Sequence, residues 1–268
     1  MLKDITLGQY FPGNSVIHRL DPRTKLLFLI VYIVALFMAV NWISYGIMLA
    51  FLVTVIAIST IPVKSIFRGM KPLIIILVFT GILNIFFTEG GKLLLDVWKI
   101  QIYQEGLIRA AFMTLRIMML ITGTFLLTYT TSPIALTDGL EALLRPLKVI
   151  HIPVHELSMM MCIALRFIPT LIEETDKIIS AQKARGADFE TGGLLKKAKA
   201  LIPILVPLFI SAFRRADELA TAMECRCYQG DKGRTKMKLL RLHRRDYLSF
   251  LIGMVLLAGI IVLRRFGL

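Results

Sequence analysis

The sequence predicts an all-α integral membrane protein with about five transmembrane helices and a cytoplasmic domain of three amphipathic helices. Three observations carry that expectation. Residues 26–63 contain no charged side chain, a run too long for a single crossing of about 20 residues. Across the chain 56% of residues are apolar and only 19% are charged, which excludes an ordinary soluble domain of 268 residues. The 32 Lys+Arg against 18 Asp+Glu give a formal charge of +14, and the cations gather beside the apolar runs. That alternation argues against nucleic acid as the partner and for the bilayer.

The opening 1–25 carries Asp4, His18, Arg19, Asp21, Arg23 and Lys25 without an apolar core and cleavage site, so no signal peptide is expected. It is assigned to the cytoplasm. The uncharged run must fold back, and Asn41 marks the turn, giving spans over about 26–40 and 42–61. Pro62 closes the second, and a loop with Lys64, Arg68 and Lys71 follows. A third span covers about 72–88. Residues 89–105 mix Lys92 and Lys99 with Glu89, Asp96 and Glu105, so their charges nearly cancel. A fourth span, 107–130, completes a four-span region over 26–130, and the last lies at 247–263 within 247–268. Lys/Arg excess marks the inner side, which puts the N-terminus, the Lys64 loop and 131–246 in the cytoplasm. Arg116 lies about two turns inside the fourth span. It belongs either to a transport path or to a neighbouring helix that it satisfies.

Residues 131–246 are too long and too varied to be a loop. Helical spacing of Ile134, Leu136, Leu140, Leu143, Leu144 and Leu147 predicts a first helix over 134–147. A second runs on from His155 with an apolar front half, a bend at Pro169 and a polar back half. A third, over about 193–228, repeats that plan with Pro203 and Pro207 inside it. Shifted by 41 residues, 176–186 lies over 217–227, pairing Asp176 with Asp217, Arg185 with Arg226 and Gly186 with Cys227. Both copies end in small-Arg-small: Ala184-Arg185-Gly186 and Cys225-Arg226-Cys227.

Two readings of these arginines stand side by side. Each complements the negative end of its helix, with Gly186 as a left-handed cap. Alternatively, small neighbours leave each guanidinium open, so each tip presents a rigid fork to a carboxylate of a docking protein.

Other chemistry is poorly supplied. The chain has no Gly-x-x-x-x-Gly-Lys-[Ser/Thr] loop, so any ATP-driven work falls to a partner. His151 and His155 are four apart, but Pro153 separates them and no further ligands accompany them, so no metal site is expected. Cys162, Cys225 and Cys227 show no disulfide spacing, and Cys225 and Cys227 read as small space-fillers in a reducing compartment. Met159, Met160 and Met161 read as adaptable packing surface. No acid/base cluster marks a membrane-embedded enzyme, and no catalytic residue or cofactor site is expected.

The segments Gly8-Gln-Tyr-Phe-Pro-Gly-Asn-Ser15 and His18-Arg-Leu-Asp-Pro-Arg-Thr-Lys-Leu26, followed by the uncharged hairpin, resemble the T component of energy-coupling factor (ECF) transporters. Ala184-Arg185-Gly186 matches that family's first Ala-Arg-Gly motif, and Arg226 stands where the second belongs. The resemblance covers essentially the whole chain. It implies a scaffold in the bacterial cell membrane that joins two P-loop ATPases to one or more small membrane proteins, the S components, which capture a vitamin or related micronutrient. ATP and Mg would be bound by the ATPases alone. The two long helices would cross, and Ala184, Arg185, Gly186, Cys225, Arg226 and Cys227 would contact the ATPases. Here the second motif departs from the family pattern. Without glycine at 227 the easy left-handed cap is missing, and the helix is expected to run past Arg226 or to end at Gly230.

Overall fold

A computed structural model describes residues 10–87, 90, 93–97, 100–187, 189, 193–230 and 240–266. Helices dominate it, in agreement with the expected class. The chain divides into two compact units: Gly8–Leu140 with Leu240–Leu268, and Glu141–Leu239.

In the first unit, α1 (Pro22–Met38) starts where Asp21 caps it, its carboxylate accepting the Arg23 N–H at 2.9 Å. Pro22 occupies the first helical position, where a missing N–H costs nothing. After the turn at Asn41, α2 (Trp42–Ser59) ends on Thr60 with φ of 57°. The segment with Lys64, Arg68 and Lys71, expected as a loop, is helical instead. It forms α3 (Val63–Met70) and a 3-10 turn (Lys71–Leu73) that leads directly into α4 (Ile74–Phe87). The two prolines that suggested breaks sit at starts, Pro62 capping α3 and Pro72 opening the 3-10 turn, where proline is tolerated.

Between α4 and α5 (Gln104–Thr130) the backbone of Leu93–Val97 (β1) pairs antiparallel with Ile100–Tyr103 (β2), a short hairpin added to the helical plan. The last element, α9 (Arg244–Phe266), returns to pack against α1. Two glycines allow the close approach of these helices. A Cβ on Gly123 of α5 would stand 2.7 Å from the Tyr32 ring, and one on Gly253 of α9 would stand 3.1 Å from Phe28. Tyr32, Leu36, Tyr45, Met48, Met119 and Tyr129 form the buried centre. By contrast Ile75, Phe79 and Phe87 of α4 face outward, 77%, 61% and 81% exposed, as expected of a helix that meets lipid.

Five helical stretches among the described residues are long and apolar enough to cross a membrane: α2, Val63–Phe87, α5, Val154–Ala184 and α9. Four of them coincide with the expected second to fifth spans. At 17 residues α1 is about 25 Å long, the short end of the roughly 17–25 residues that a crossing takes. Val154–Ala184, assigned by sequence to the cytoplasmic domain, qualifies because its front half is apolar.

The second unit contains α7 (Val154–Ala184) and α8 (Leu194–Glu224). They follow α6 (Pro133–Leu144), which starts in the first unit, and a 3-10 stretch (Arg145–Ile150). Pro169 lies within the unbroken α7, and Pro203 and Pro207 lie within α8.

Candidate functional site

The site is built on α7 and α8, which run antiparallel. Glu174 of α7 meets Ser211 and Arg215 of α8, and Gln182, two turns further along α7, donates to the Pro203 carbonyl, two turns earlier along α8. The C-terminal ends of the two helices therefore lie at opposite ends of the pair, and each carries one of the arginines.

The first tip closes by hydrogen bonds that satisfy the orphan carbonyls of a helix end. Gly186, at φ of 86°, donates its N–H to Lys183 O at 3.0 Å, and Ala187 donates to Gln182 O at 3.0 Å. The second tip repeats this bond for bond. Cys227 donates to Glu224 O at 2.8 Å and Tyr228 to Met223 O at 3.1 Å, each position shifted by 41 from its counterpart. The expected run past Arg226, or to Gly230, is therefore overturned: α8 ends at Glu224, and Cys227 itself takes the left-handed conformation at φ of 54°. The capping bonds outweigh the Cβ strain, which is about 1–2 kcal/mol for a non-glycine residue.

All six motif residues, Ala184, Arg185, Gly186, Cys225, Arg226 and Cys227, are exposed. Among the described residues neither guanidinium makes a hydrogen bond or ion pair, and a Cβ on Gly186 would meet nothing within 4 Å beyond its chain neighbours. Each tip can thus offer a pre-set fork to a carboxylate or to carbonyl groups. Ahead of the tips, Leu201, Ile202, Val206, Phe209, Ile210 and Phe213 of α8 and Met160 and Met161 of α7 are exposed apolar surface.

The remaining sequence candidates have other partners. Arg116 donates to Tyr45 OH at 2.8 Å and to Ala39 O at 3.1 Å, and its guanidinium lies 5.7 Å from the Phe37 and Tyr45 ring centroids. Ala39 is the C-cap of α1, so Arg116 satisfies a helix end and settles into a neighbour-helix role. His155 Nδ1 lies 3.1 Å from Glu141 Oε1, and Ser158 donates to Glu141 Oε2 at 2.8 Å, which ties α7 to the end of α6. His151 forms the left-handed end of the 3-10 stretch. Cys162, Cys225 and Cys227 form no disulfide among the described residues.

The N-terminal signature forms a local clasp in the first unit. Phe11 N–H donates to Tyr129 O at 3.0 Å, and the two rings meet edge to face at 5.3 Å. His18 bridges Ser15 Oγ, at 2.6 Å from Nδ1, to Phe11 O, at 3.0 Å from Nε2. The carbonyl can only accept, so Nε2 carries the proton and, in the neutral ring, Nδ1 accepts from the serine. Burial, reinforced by the nearby Lys25 charge, holds the imidazole below its ordinary value against the pull of the Phe11 carbonyl. The Lys25 ammonium has an acceptor for each of its protons: Thr130 O at 2.8 Å, Thr131 Oγ1 at 3.1 Å and His18 O at 3.3 Å. Asp246 Oδ1 accepts the Asp21 N–H at 2.9 Å, and no sequence pattern signals either this link or the Glu174–Ser211–Arg215 cluster. The 41-residue shift does carry Glu174 onto Arg215, without showing that they touch.

A family model described as cobalt transport protein, CbiQ, matches residues 13–237. The energy-coupling factor transporter transmembrane protein EcfT of Clostridium kluyveri is 57% identical over 257 residues, covering 96% of this chain and 95% of that protein. This chain belongs to the EcfT family. The EcfT proteins of Thermosediminibacter oceani and Bacillus subtilis are 52% and 45% identical over 98% and 99% of the chain, and over 99% and 100% of their own lengths. It is thus a multi-pass transmembrane component of an ECF-type transporter, and the expected ECF resemblance holds over nearly the whole chain.

Proposed function

We propose that this chain is the scaffold that couples ATP hydrolysis by two partner P-loop ATPases to the uptake of a vitamin or related micronutrient captured by a separate membrane S component. The observation that carries this reading is the pair of equivalent caps. Two exposed arginines at opposite ends of one antiparallel helix pair are a natural fit to two like subunits, one guanidinium to each. ATP and Mg belong to those ATPases in this reading, and the chain itself performs no catalysis. The exposed apolar faces of α7 and α8 give the S component an adaptable surface to lie against.

In this reading the N-terminus and the α7–α8 unit lie in the cytoplasm of a bacterial cell. The cationic α3 and the arginines that open α9 support that side. The test is affinity purification of the tagged chain in mild detergent, with mass spectrometry and an ATPase assay of the eluate. Two P-loop ATPases and one or more small hydrophobic proteins are expected, and the number of different small proteins distinguishes a shared scaffold from a dedicated one. A chain that elutes alone, without ATPase activity, overturns the reading.

A further inference from the structure

We propose that the Glu174–Ser211–Arg215 cluster is the pivot of the α7–α8 pair, a set of positioning residues that fixes where the two helices meet and keeps the arginine tips at matched reach. The proposal deepens the scaffold reading and rests on it for the role of the tips.

Glu174 and Arg215 are 41 residues apart, the same shift that carries Arg185 onto Arg226. They are therefore equivalent positions of the repeat, and they contact each other. When equivalent positions on two antiparallel helices meet, a local two-fold axis passes between them, as in an isologous interface. Each tip then lies eleven residues beyond the axis, an arm of about 16 Å at 1.5 Å per residue, in opposite directions. The sequence repeat and the contact are independent of each other, and together they place the axis at one ion pair.

The chemistry suits a fixed point. Arg215 donates to Glu174 Oε2 at 2.7 Å, and Ser211 donates to Oε1, so both oxygens of one α7 carboxylate are held from α8. Ser211 and Arg215 are four apart, on one face of their helix, so the grip resists both sliding and rotation. The side chains are 34% and 24% exposed, less open to water than a free surface pair. With the crossing pinned, displacement of one tip swings its helix about the axis. Without the pin the helices slip, and the motion is lost before it reaches the exposed apolar front halves.

The experiment has two parts. The complete transporter with both ATPases and an S component is reconstituted into proteoliposomes with wild-type chain, Glu174→Arg, Arg215→Glu or the charge-swapped pair. Each single variant should keep both ATPases and their hydrolysis but lose substrate uptake per ATP by about tenfold, the middle of the usual range of coupling energies. The swapped pair should recover most of it, since Ser211 donates and accepts equally well. Undiminished uptake in the single variants, or a swap that assembles but stays uncoupled, overturns the pivot.

The second part needs no ATPase. Spin labels on Cys225 and on its repeat mate in Ala184→Cys, with Cys162 and Cys227 changed to Ser, report the distance between the tips in the purified full-length chain. A single narrow distribution is expected, broadened by Glu174→Gln. A broad distribution with Glu174 intact, or a narrow one unchanged by Glu174→Gln, overturns the pivot. Failure of the scaffold reading shows differently, as ATPases that never co-purify with a chain whose tip distance behaves as described.

Discussion

Asp246 accepts the backbone N–H of Asp21 at 2.9 Å through Oδ1, joining the start of α9 to the start of α1 across 225 positions. Its second oxygen accepts the His243 N–H at 2.7 Å, and the side chain is buried. A carboxylate suits this place because both of its oxygens accept. In Asp246→Asn one of the two donors meets an amide NH2 and is left buried without a partner, at a cost of about 2 kcal/mol. The melting temperature in detergent should fall, and fall further in Asp246→Ala. An unchanged Tm in Asp246→Asn would show that the link contributes nothing.

The N-terminal clasp should weaken in acid. His18 holds its proton less readily in the folded chain than its ordinary value of 6.5, chiefly because of burial. As pH falls from 6.5 through the lower folded value, the unfolded chain binds more protons, so stability is lost across that window and is fully present above it. The Tm of the wild-type chain should therefore drop between pH 6.5 and 5 more steeply than that of His18→Gln. Parallel profiles would remove His18 from the account.

Arg116 is expected to act as the cap of α1. Replacing it with Gln removes bonds to Ala39 O and Tyr45 OH and two ring contacts. A loss of about 2 kcal/mol follows. Uptake per assembled transporter should be unaffected. Normal stability with abolished uptake would return this residue to the transport path.

The two tips predict opposite effects of glycine and alanine. Cys227→Gly relieves a left-handed β-carbon and should stabilise α8 by about 1 kcal/mol, while Gly186→Ala creates that strain at φ of 86° and should cost about as much. No side chain crowds Gly186, so packing does not confuse the comparison. Thermal unfolding of the two variants checks both signs.

Arg185→Ala and Arg226→Ala should leave membrane insertion and Tm intact, because neither guanidinium has a partner among the described residues. Co-purification of ATPases, or uptake per ATP hydrolysed, should fall in each and most in the double variant. Normal uptake in the double variant would end the coupling role of the tips.

The helical membrane class, the apolar stretches at 42–61, 72–88, 107–130 and 247–263 and both arginine motifs are legible in the sequence, because each is a local property. An uncharged run must leave water, helical periodicity repeats within a few turns, and a small-Arg-small triplet is contiguous. The end of α8 departs from the sequence expectation for a related reason. Local propensity asks for glycine at 227, but the Cys227 and Tyr228 N–H groups bond back to Glu224 and Met223 and impose the same cap without it. Likewise Lys64, Arg68 and Lys71 signal a loop by charge and by the flanking prolines, while the backbone needs no N–H from either proline and stays helical.

Pairings across long separations depend on the packed fold. The charge of Arg116 is visible in the chain, but its use depends on the Ala39 carbonyl 77 residues away. Asp21 and Asp246 give no mutual signal in sequence, since one partner is a backbone N–H that every residue but proline has. The 41-residue repeat shows that two helices are alike. That they run antiparallel, and meet at the equivalent Glu174 and Arg215, follows only once packing sets which faces touch, because a repeat fixes the likeness of two surfaces and leaves their mutual orientation free.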